Sequence, residues 1–407
     1  MTPGPPVVDY DVVIIGAGPS GSTAAIAYKQ AKPDLRIALV DKATFPREKA
    51  CGDGLGPGVL GVLEDLGLST IVDGGNQVNA VEVRGPRGTS VGGALPALAD
   101  KGGFGVVIER RTFDHRLHQA AIEVGVSDFS GWRFAGGDIV GDARIVDLSR
   151  PGERVTISTS LLVGADGASS RVRASLGVTR NTDRHTGVGI RAYATVLTPA
   201  RRPTEALMLD FQEELNPGYG WVFPLRDGRA NIGVFMVAAD RKKLGLKTTD
   251  LLRSFVGQLE AGGYRVSDLT SARTYLLPYT PGLPTLAYER AALIGDAASM
   301  INPWSGEGIF YGMEAGRLLA AETAEDLRSG EDAALGTGLQ RFEDRFRRRF
   351  SQHLKTCHLA HRVTRSKRIS AGILRVAKRE RRVFDYLVSL MFEEAGCPFI
   401  ARGRTTA

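Results

Sequence analysis

The chain has 407 residues, of which 43% are hydrophobic and 24% are charged, a composition typical of a soluble globular protein large enough for two domains. No apolar run reaches the roughly 18 residues of a membrane span, and the first residues lack the pattern of a secretory signal. The three cysteines, Cys51, Cys357 and Cys397, are too few and too scattered for a disulfide framework or a zinc site. These features predict a cytoplasmic protein with reduced thiols and no bound metal.

The formal net charge is +7, and the excess of basic residues is concentrated between Arg341 and Arg382. Three interpretations remain open: a solvated helical face, a surface that attracts anionic lipid or a diphosphate-bearing substrate, and a nucleic-acid-binding surface. Because no nucleic-acid-binding motif accompanies the charge, we expect no nucleic-acid partner. Peripheral membrane contact through this region stays an open alternative.

The first element in the chain is a strand–turn–helix motif. An apolar strand is followed by Gly16-Ala-Gly18-Pro-Ser-Gly21, and a second apolar run ends in Asp41. This combination predicts a dinucleotide-binding unit. Gly16 allows the tight turn, and Gly18 lets the backbone approach a pyrophosphate. Gly21 lets the helix pack against the strand, and Asp41 is placed to bind a ribose hydroxyl.

The following elements alternate between helical and extended patterns. A Gly/Pro-rich loop at 44–58 precedes a helix that runs to about Leu66, and helical spacing returns at 112–124. From about Ser305 the pattern is helical nearly to the end. Strand-like segments lie at 78–108, 126–163, 187–237 and 291–294.

Two later segments repeat the combination of a short apolar strand and a Gly/Asp turn. The first leads into Asp166 and Gly167, and the second leads into Gly295 and Asp296. We expect their backbone amides to approach a large ligand, and Asp296 to accept a hydrogen bond from a ribityl hydroxyl. Three such segments exceed what NAD binding alone requires, so the set favours FAD.

A further glycine turn lies at the start of the helical region. Gly306 and Gly308, with Ile309 directly after them, can place backbone N–H groups near an electron-rich ring edge. We therefore include these three residues in the predicted cofactor site.

The segments together predict an α/β (α+β) protein. A Rossmann-type FAD-binding domain is interrupted by a β-sheet substrate domain and followed by a helical C-terminal region. The predicted boundaries are 1–9 for a flexible tail, 10–75, 105–180 and 285–330 for the FAD-binding domain, 76–104 and 181–284 for the substrate domain, and 331–407 for the basic helical region.

A fourth motif narrows the family. The chain reads Gly218-Tyr-Gly-Trp-Val-Phe-Pro224, followed by Asn231-Ile-Gly233. This element resembles the YxWxFP…NxG motif of the geranylgeranyl reductase family, which includes the menaquinone side-chain reductases. Residues 45–54 and the stretch Arg110-x-x-Phe-Asp114 resemble the same family, whose members have the p-hydroxybenzoate hydroxylase-like fold. The resemblance covers residues 10 to about 320.

The resemblance implies roles for side chains near the cofactor. Tyr219, Trp221 and Phe223 alternate, so on a strand they would share one face, where they would line an isoprenoid site or pack in the core. Cys51 lies in the family's active-site region, although a small residue in a tight loop is an equally simple interpretation. We assign Tyr219, Trp221 and Cys51 as catalytic candidates.

The remaining assignments concern charge and pocket shape. Arg47 and Cys51, in the loop at 45–54, are assigned to the cofactor site. Arg110 would hold a cofactor phosphate, stabilise negative charge on the reduced ring, or be a surface arginine at a helix start. Trp304, close to bulky Phe310 and Tyr311, indicates a tailored pocket, so it joins Tyr219, Trp221 and Phe223 as a substrate-binding candidate.

The predicted reaction is reduction of a carbon–carbon double bond in an isoprenoid, with NADPH, NADH or reduced ferredoxin as electron donor. The fold also hosts oxygen transfer, so an FAD-dependent monooxygenase or epoxidase of a terpenoid or aromatic secondary metabolite is the main alternative. Halogenation is disfavoured, because the relay lysine and the paired-tryptophan element of flavin halogenases are absent. A flavin-binding sensor or electron carrier is the non-enzymatic alternative. Tyr219 and Cys51 are the candidates for the proton donor.

Overall fold

The first strand already contains residues 8 and 9, which corrects the predicted boundary of the N-terminal tail. Residues 1–7 of that tail lie outside the described part of the chain. This computed structural model describes residues 8–86, 89–95, 104–197, 206–212, 215–279, 282, 285–329 and 332–392.

The strands supply two large sheets and one small one. Their bounds are β1 (Val8–Ile15), β2 (Ile37–Asp41), β3 (Gly54–Leu55), β4 (Asn76–Val78), β5 (Ala80–Arg84), β6 (Ser90–Ala94), β7 (Gly105–Val107), β8 (Ser127–Ser130), β9 (Arg133–Gly136), β10 (Ile139–Val140), β11 (Ala143–Arg150), β12 (Glu153–Gly164), β13 (Thr186–Leu197), β14 (Ala206–Asp210), β15 (Tyr219–Pro224), β16 (Arg229–Val237), β17 (Arg265–Pro278), β18 (Ala287–Tyr288) and β19 (Ala291–Leu293).

The helices cover the sheets and form the C-terminal region. Their bounds are α1 (Pro19–Ala31), α2 (Pro57–Asp65), α3 (Arg110–Glu123), α4 (Arg171–Ser175), α5 (Ala238–Lys243), α6 (Thr248–Ala261), α7 (Ile309–Ser329), α8 (Asp332–Thr364), α9 (Lys367–Arg379) and α10 (Arg381–Met391).

The first sheet gathers the glycine-rich segments at one edge. Its order is β10-β11-β12-β1-β2-β8, and β19 continues beside the end of β12. Strands β19, β12, β1, β2 and β8 run parallel to their neighbours in this set. Because parallel strands end at the same edge, the loops that follow Ile15, Asp41, Gly164 and Leu293 meet there. The predicted Rossmann-type sheet is confirmed.

Small residues let α1 pack closely against α7. A Cβ added at Gly316 would lie 2.8 Å from the carbonyl oxygen of Ser20 and 3.0 Å from Cβ of Ala24. The Tyr28 hydroxyl and Thr323 Oγ1, 2.6 Å apart, join the two helices by a buried hydrogen bond. The interface belongs to the largest hydrophobic core, which lies beneath the glycine-rich loops.

The second sheet has the order β17-β13-β16-β15-β14-β5-β6 and collects strands from two separate parts of the chain. One face packs against α6, where Val222 and Phe255 share a core. The opposite face carries Tyr219 and Trp221, which share another core with Phe384 of α10. The predicted alternation along β15 is confirmed. The assignment of this sheet to substrate binding stays a prediction.

The predicted helical C-terminal region is confirmed for α8, α9 and α10, whereas residues 393–407 lie outside the described part. The last two helices lie on β5 and β6, because Gly85 and Gly93 leave room for Leu374 and Phe384: a Cβ at these glycines would lie 2.1 and 2.6 Å from those side chains. Within the described residues, no helix combines the length and the apolar character needed to span a bilayer.

Candidate active site

A cleft of about 690 Å³ runs along the carboxyl edge of the parallel strands. It is lined by residues from all three glycine-rich segments and from the loop at 45–54. Of the predicted cofactor residues, the cleft is lined by Gly16, Gly18, Asp41, Arg47, Cys51, Arg110, Asp166, Gly167, Asp296, Gly306, Gly308 and Ile309. The structure thus brings together residues that lie almost 300 positions apart in the sequence.

Two predicted glycines, Gly21 and Gly295, pack behind the cleft. A Cβ at Gly21 would lie 1.8 Å from the Gly16 carbonyl oxygen, so only glycine lets α1 start this close to β1. Gly295 has a φ of +62°, and a Cβ there would lie 2.5 Å from Ser20 Oγ. Both residues therefore act by holding the loops together.

Two arginines at the cleft are fixed by one buried carboxylate. Arg110 donates to both oxygens of Asp114, at 2.5 and 2.8 Å, and Arg47 Nη1 lies 3.1 Å from Asp114 Oδ2. Arg47 Nη2 is also 3.6 Å from Asp41 Oδ2, which accepts a hydrogen bond from the Ala17 amide at 3.0 Å. The guanidinium groups therefore have defined positions before any ligand binds.

The two later aspartates differ in their surroundings. Asp166 accepts hydrogen bonds from the amides of Arg171 and Val172, at 2.7 and 3.2 Å, so it caps α4 while also lining the cleft. Burial raises the pKa of Asp296, and the positive charges of Lys49 and Arg110 oppose that rise. The predicted contact of Asp296 with a ribityl hydroxyl stays a prediction.

Cys51 lies in the cleft beside a positive charge. Burial and the negative charge of Asp53 raise the pKa of its thiol, while the positive charge of Arg110 and hydrogen bonds from the Asp53 amide and the Arg110 guanidinium oppose the rise. The net direction is upward, so the group is a protonated thiol at neutral pH. The same two donors would stabilise the thiolate if the proton left.

The aromatic face of β15, formed by Tyr219, Trp221 and Phe223, lies directly behind two loops of the cleft. Neighbouring ring centroids along this face are 6.4 Å apart. A Cβ at Gly52 would lie 3.1 Å from Phe223 Cε2, and one at Gly306 would lie 3.0 Å from the Tyr219 hydroxyl. The face therefore contacts the loop that carries Cys51 and the turn at Gly306.

The Tyr219 hydroxyl is already engaged. It donates a hydrogen bond to the Ser305 carbonyl oxygen at 2.5 Å. Burial and the negative charge of Glu307 raise its pKa above the usual range of a phenol. Tyr219 therefore holds its proton more tightly than an exposed tyrosine does.

Trp304 lies elsewhere, in a second and apolar cavity. Phe211, Leu374 and Phe384 line that cavity together with Trp304, between the second sheet and the last helices. The predicted role of Trp304 in substrate binding stays a prediction, in a cavity distinct from the cleft.

The expectation that Phe310 and Tyr311 shape a tailored pocket is wrong. Both side chains are buried, and their ring centroids lie 5.8 and 5.3 Å from that of Phe350 on α8. They fill the core between α7 and α8. Their bulk therefore reflects helix packing.

Sequence reasoning missed one residue that lines the cleft and three that support the loops behind it. Tyr275 lines the cleft, and Asp53, Tyr193 and Asn231 form buried hydrogen bonds behind it. Asn231 belongs to the NxG motif, which was the one available signal. The others follow from contacts between residues up to 180 positions apart, which no local pattern reports.

Comparisons with known proteins agree with this site. A family model described as FAD binding domain matches residues 9–250. Menaquinone reductase from Mycobacterium tuberculosis is 34% identical over 359 residues, which cover 84% of this chain and 81% of the relative. Digeranylgeranylglycerophospholipid reductase 1 from Methanopyrus kandleri is 29% identical over 351 residues, which cover 84% and 87%.

The fold and the cleft define an FAD-binding oxidoreductase. With the reductases as relatives, the chain belongs to the geranylgeranyl reductase family of FAD-dependent oxidoreductases. A geranylgeranyl bacteriochlorophyll reductase-like structure from Thermoplasma acidophilum has a TM-score of 0.80 at 20% identity, covering 92% of this chain and 93% of that one. A flavin-dependent brominase has a TM-score of 0.76 at 18% identity, covering 95% and 94%. At these identities the likeness establishes the fold alone.

The residues present fit FAD. The cleft is long and large, and the N-terminus of α1 opens into it at Gly18 and Ser20, which suits a pyrophosphate. Asp41 stands at the end of β2, the position that suits a ribose hydroxyl. The turn at Gly306 and Gly308 supplies backbone groups at the far end.

Proposed function

We propose that this protein reduces carbon–carbon double bonds of an isoprenoid substrate. The observation that carries the proposal is the aromatic face of β15, which contacts both the Cys51 loop and the Gly306 turn of the FAD cleft. Tyr219 and Trp221 are buried and none of the three rings lines the cleft, so a prenyl chain lies on this apolar face next to the cofactor only when the covering loops move aside. The names of the two reductase relatives, which refer to a prenylated quinone and a prenylated glycerophospholipid, support this substrate class.

Each substrate double bond gains one hydride and one proton. Bound FAD would supply the hydride once the electron donor has reduced it by two electrons. The Cys51 thiol donates the proton to the other alkene carbon, and the Arg110 guanidinium stabilises the thiolate that remains. Water restores the proton before the next turnover. The substrate gains two hydrogen atoms, and the electron donor loses two electrons.

Substitutions test the proton donor. Cys51→Ala should lower kcat by about 100-fold, the usual contribution of a general acid. Tyr219→Phe is the matched comparison, because it removes a hydroxyl that the Ser305 carbonyl already binds. If Tyr219→Phe lost more activity than Cys51→Ala, the donor would be Tyr219. FAD content measured for each variant separates a chemical effect from cofactor loss.

We propose NADPH, NADH or reduced ferredoxin as the electron donor. Anaerobic bleaching of the bound flavin, followed with each donor in turn, identifies it. Bleaching by none of the three would refute this part of the proposal.

We place a peripheral membrane contact on α9. In the basic run of α8, Arg347 lies 2.6 Å from Glu343, and Arg349 pairs with buried Glu314, so these charges are largely neutralised within the protein. On α9, Arg368, Arg375 and Arg379 recur at helical spacing on an exposed stripe, and Ile369 and Val376 beside them are 47% and 48% exposed. A basic stripe flanked by exposed apolar residues suits an anionic lipid surface.

Vesicle flotation tests this contact. The triple variant R368Q/R375Q/R379Q should lose binding to vesicles that contain phosphatidylglycerol, and neither protein should bind phosphatidylcholine alone. R154Q/R226Q/R265Q removes the same charge from exposed sites away from α9 and is the matched control. Equal binding by both variants would refute the location.

A further inference from the structure

Asp53 is a buried carboxylate that the proposed reaction does not use. Its side chain is inaccessible to solvent, and its φ of +64° is unusual for a residue other than glycine. Asp53 Oδ2 accepts hydrogen bonds from the Tyr193 hydroxyl at 2.7 Å and from Asn231 Nδ2 at 2.8 Å. Its Oδ1 faces the backbone amide of Arg110 at 3.4 Å.

Asn231 connects this carboxylate to two of the three catalytic candidates, Trp221 and Cys51. Asn231 Nδ2 also donates to the Cys51 carbonyl oxygen at 2.8 Å, and Asn231 Oδ1 accepts from Trp221 Nε1 at 2.9 Å. The Asn231 amide nitrogen therefore donates to two acceptors, and its amide oxygen accepts from one donor. This set of partners permits only one orientation of the amide.

We propose that Asp53 is a positioning residue that, through Asn231, holds the Trp221 indole and the Cys51 loop in a fixed relation. The proposal rests on the proposed function, in which Trp221 contacts the prenyl chain and Cys51 delivers the proton. A fixed distance between these two groups holds the alkene carbon of the substrate close to the proton donor.

The energetics favour a functional reason for keeping this carboxylate. Burial raises the pKa of Asp53 to about 6, although hydrogen bonds from Tyr193 and Asn231 and the charges of Arg191 and Arg110 oppose the rise. The ionised form therefore destabilises the fold at neutral pH. Arg191 stacks on the Tyr193 ring at 4.3 Å and pairs with Glu48 at 2.9 Å. Its positive charge offsets only part of the cost of ionising buried Asp53.

The test compares Asp53→Ala with Tyr193→Phe. Alanine at position 53 offers no acceptor to Asn231 Nδ2, whereas asparagine could turn its NH₂ group toward the Arg110 amide and keep that bond. Tyr193→Phe removes one hydrogen bond to Asp53 and keeps the link through Asn231. Asp53→Ala should lower kcat about tenfold or more, with flavin content and flavin reduction rate unchanged. Tyr193→Phe should change kcat by less than about threefold.

A readout without substrate makes the outcome independent of the proposed reaction. In a W132F/W304F background, Trp221 is the remaining tryptophan. Asp53→Ala should raise its acrylamide quenching constant about twofold, and Tyr193→Phe should leave it unchanged. If the wild type reduced no prenyl substrate but this difference appeared, the proposed function would fail while the positioning role stood.

Three results would overturn the proposal. They are wild-type kcat and wild-type quenching in Asp53→Ala, equal effects of the two substitutions, or a kcat loss that follows flavin loss in proportion. If Asp53→Ala does not fold, Asn231→Ser keeps the carboxylate and cuts the same link. It should then show the same loss of kcat and the same rise in quenching.

Discussion

Replacing Asp53 with asparagine should change how the stability of the protein depends on pH. The pKa of Asp53 is about 6 in the folded protein against an ordinary value of 3.8. The folded state therefore binds this proton more tightly than the unfolded state, so the contribution of Asp53 to stability is greatest below pH 4 and is lost as pH rises through 6. The shift corresponds to about 3 kcal/mol, because one pKa unit is about 1.4 kcal/mol. Asparagine does not ionise, so the Asp53→Asn variant should not lose this stability as the pH rises.

Urea unfolding measures the effect at constant, saturating FAD. Between about pH 4.5 and pH 7.5, the free energy of unfolding of Asp53→Asn should rise relative to wild type by about 2 kcal/mol. The fixed cost of the broken hydrogen bond cancels in this comparison of slopes. Glu123→Gln, at an exposed position on α3, is the control and should give parallel curves. Parallel curves for Asp53→Asn itself, or a slope of opposite sign, would refute the reasoning.

Three further predictions concern the FAD-binding sheet. Gly21→Ala should purify without FAD, seen as loss of absorbance near 450 nm, because its Cβ would lie 1.8 Å from the Gly16 carbonyl oxygen; flavin retained at wild-type level would count against it. Arg110→Gln should lower the free energy of unfolding by about 3 kcal/mol, since it weakens a buried ion pair with Asp114, and an unchanged urea midpoint would contradict this. Tyr28→Phe should cost about 1 kcal/mol by the same assay, because it removes one buried hydrogen bond to Thr323, and a loss above about 3 kcal/mol would show a larger role.

The sequence predicted the parts of the site that depend on local spacing. Gly16, Gly18 and Asp41 belong to one βαβ unit, and the later glycine turns follow short buried strands, so the edge where they meet was predictable. The alternation of Tyr219 and Trp221 was predictable for the same reason.

What the sequence did not predict depends on tertiary contacts. The buried pairing of Arg47 and Arg110 through Asp114 joins a loop to a helix, and Asp53 meets Asn231 across 178 positions. A solvated basic face was one of three open interpretations of the arginines in α8, and Arg349 in that run pairs with Glu314 on α7. Packing between helices determines which charges stay exposed, and local sequence patterns do not predict that packing.

The central claim is tested most directly by the mass of the product. The purified protein with FAD is incubated with each electron donor and a panel of prenyl diphosphates, prenylquinones and prenylated indoles, in air and under anaerobic conditions. For an isoprenoid reductase we expect a gain of two hydrogen atoms per reduced double bond, and we expect this gain to persist without oxygen. A gain of one oxygen atom that disappears without oxygen would contradict it and establish a monooxygenase.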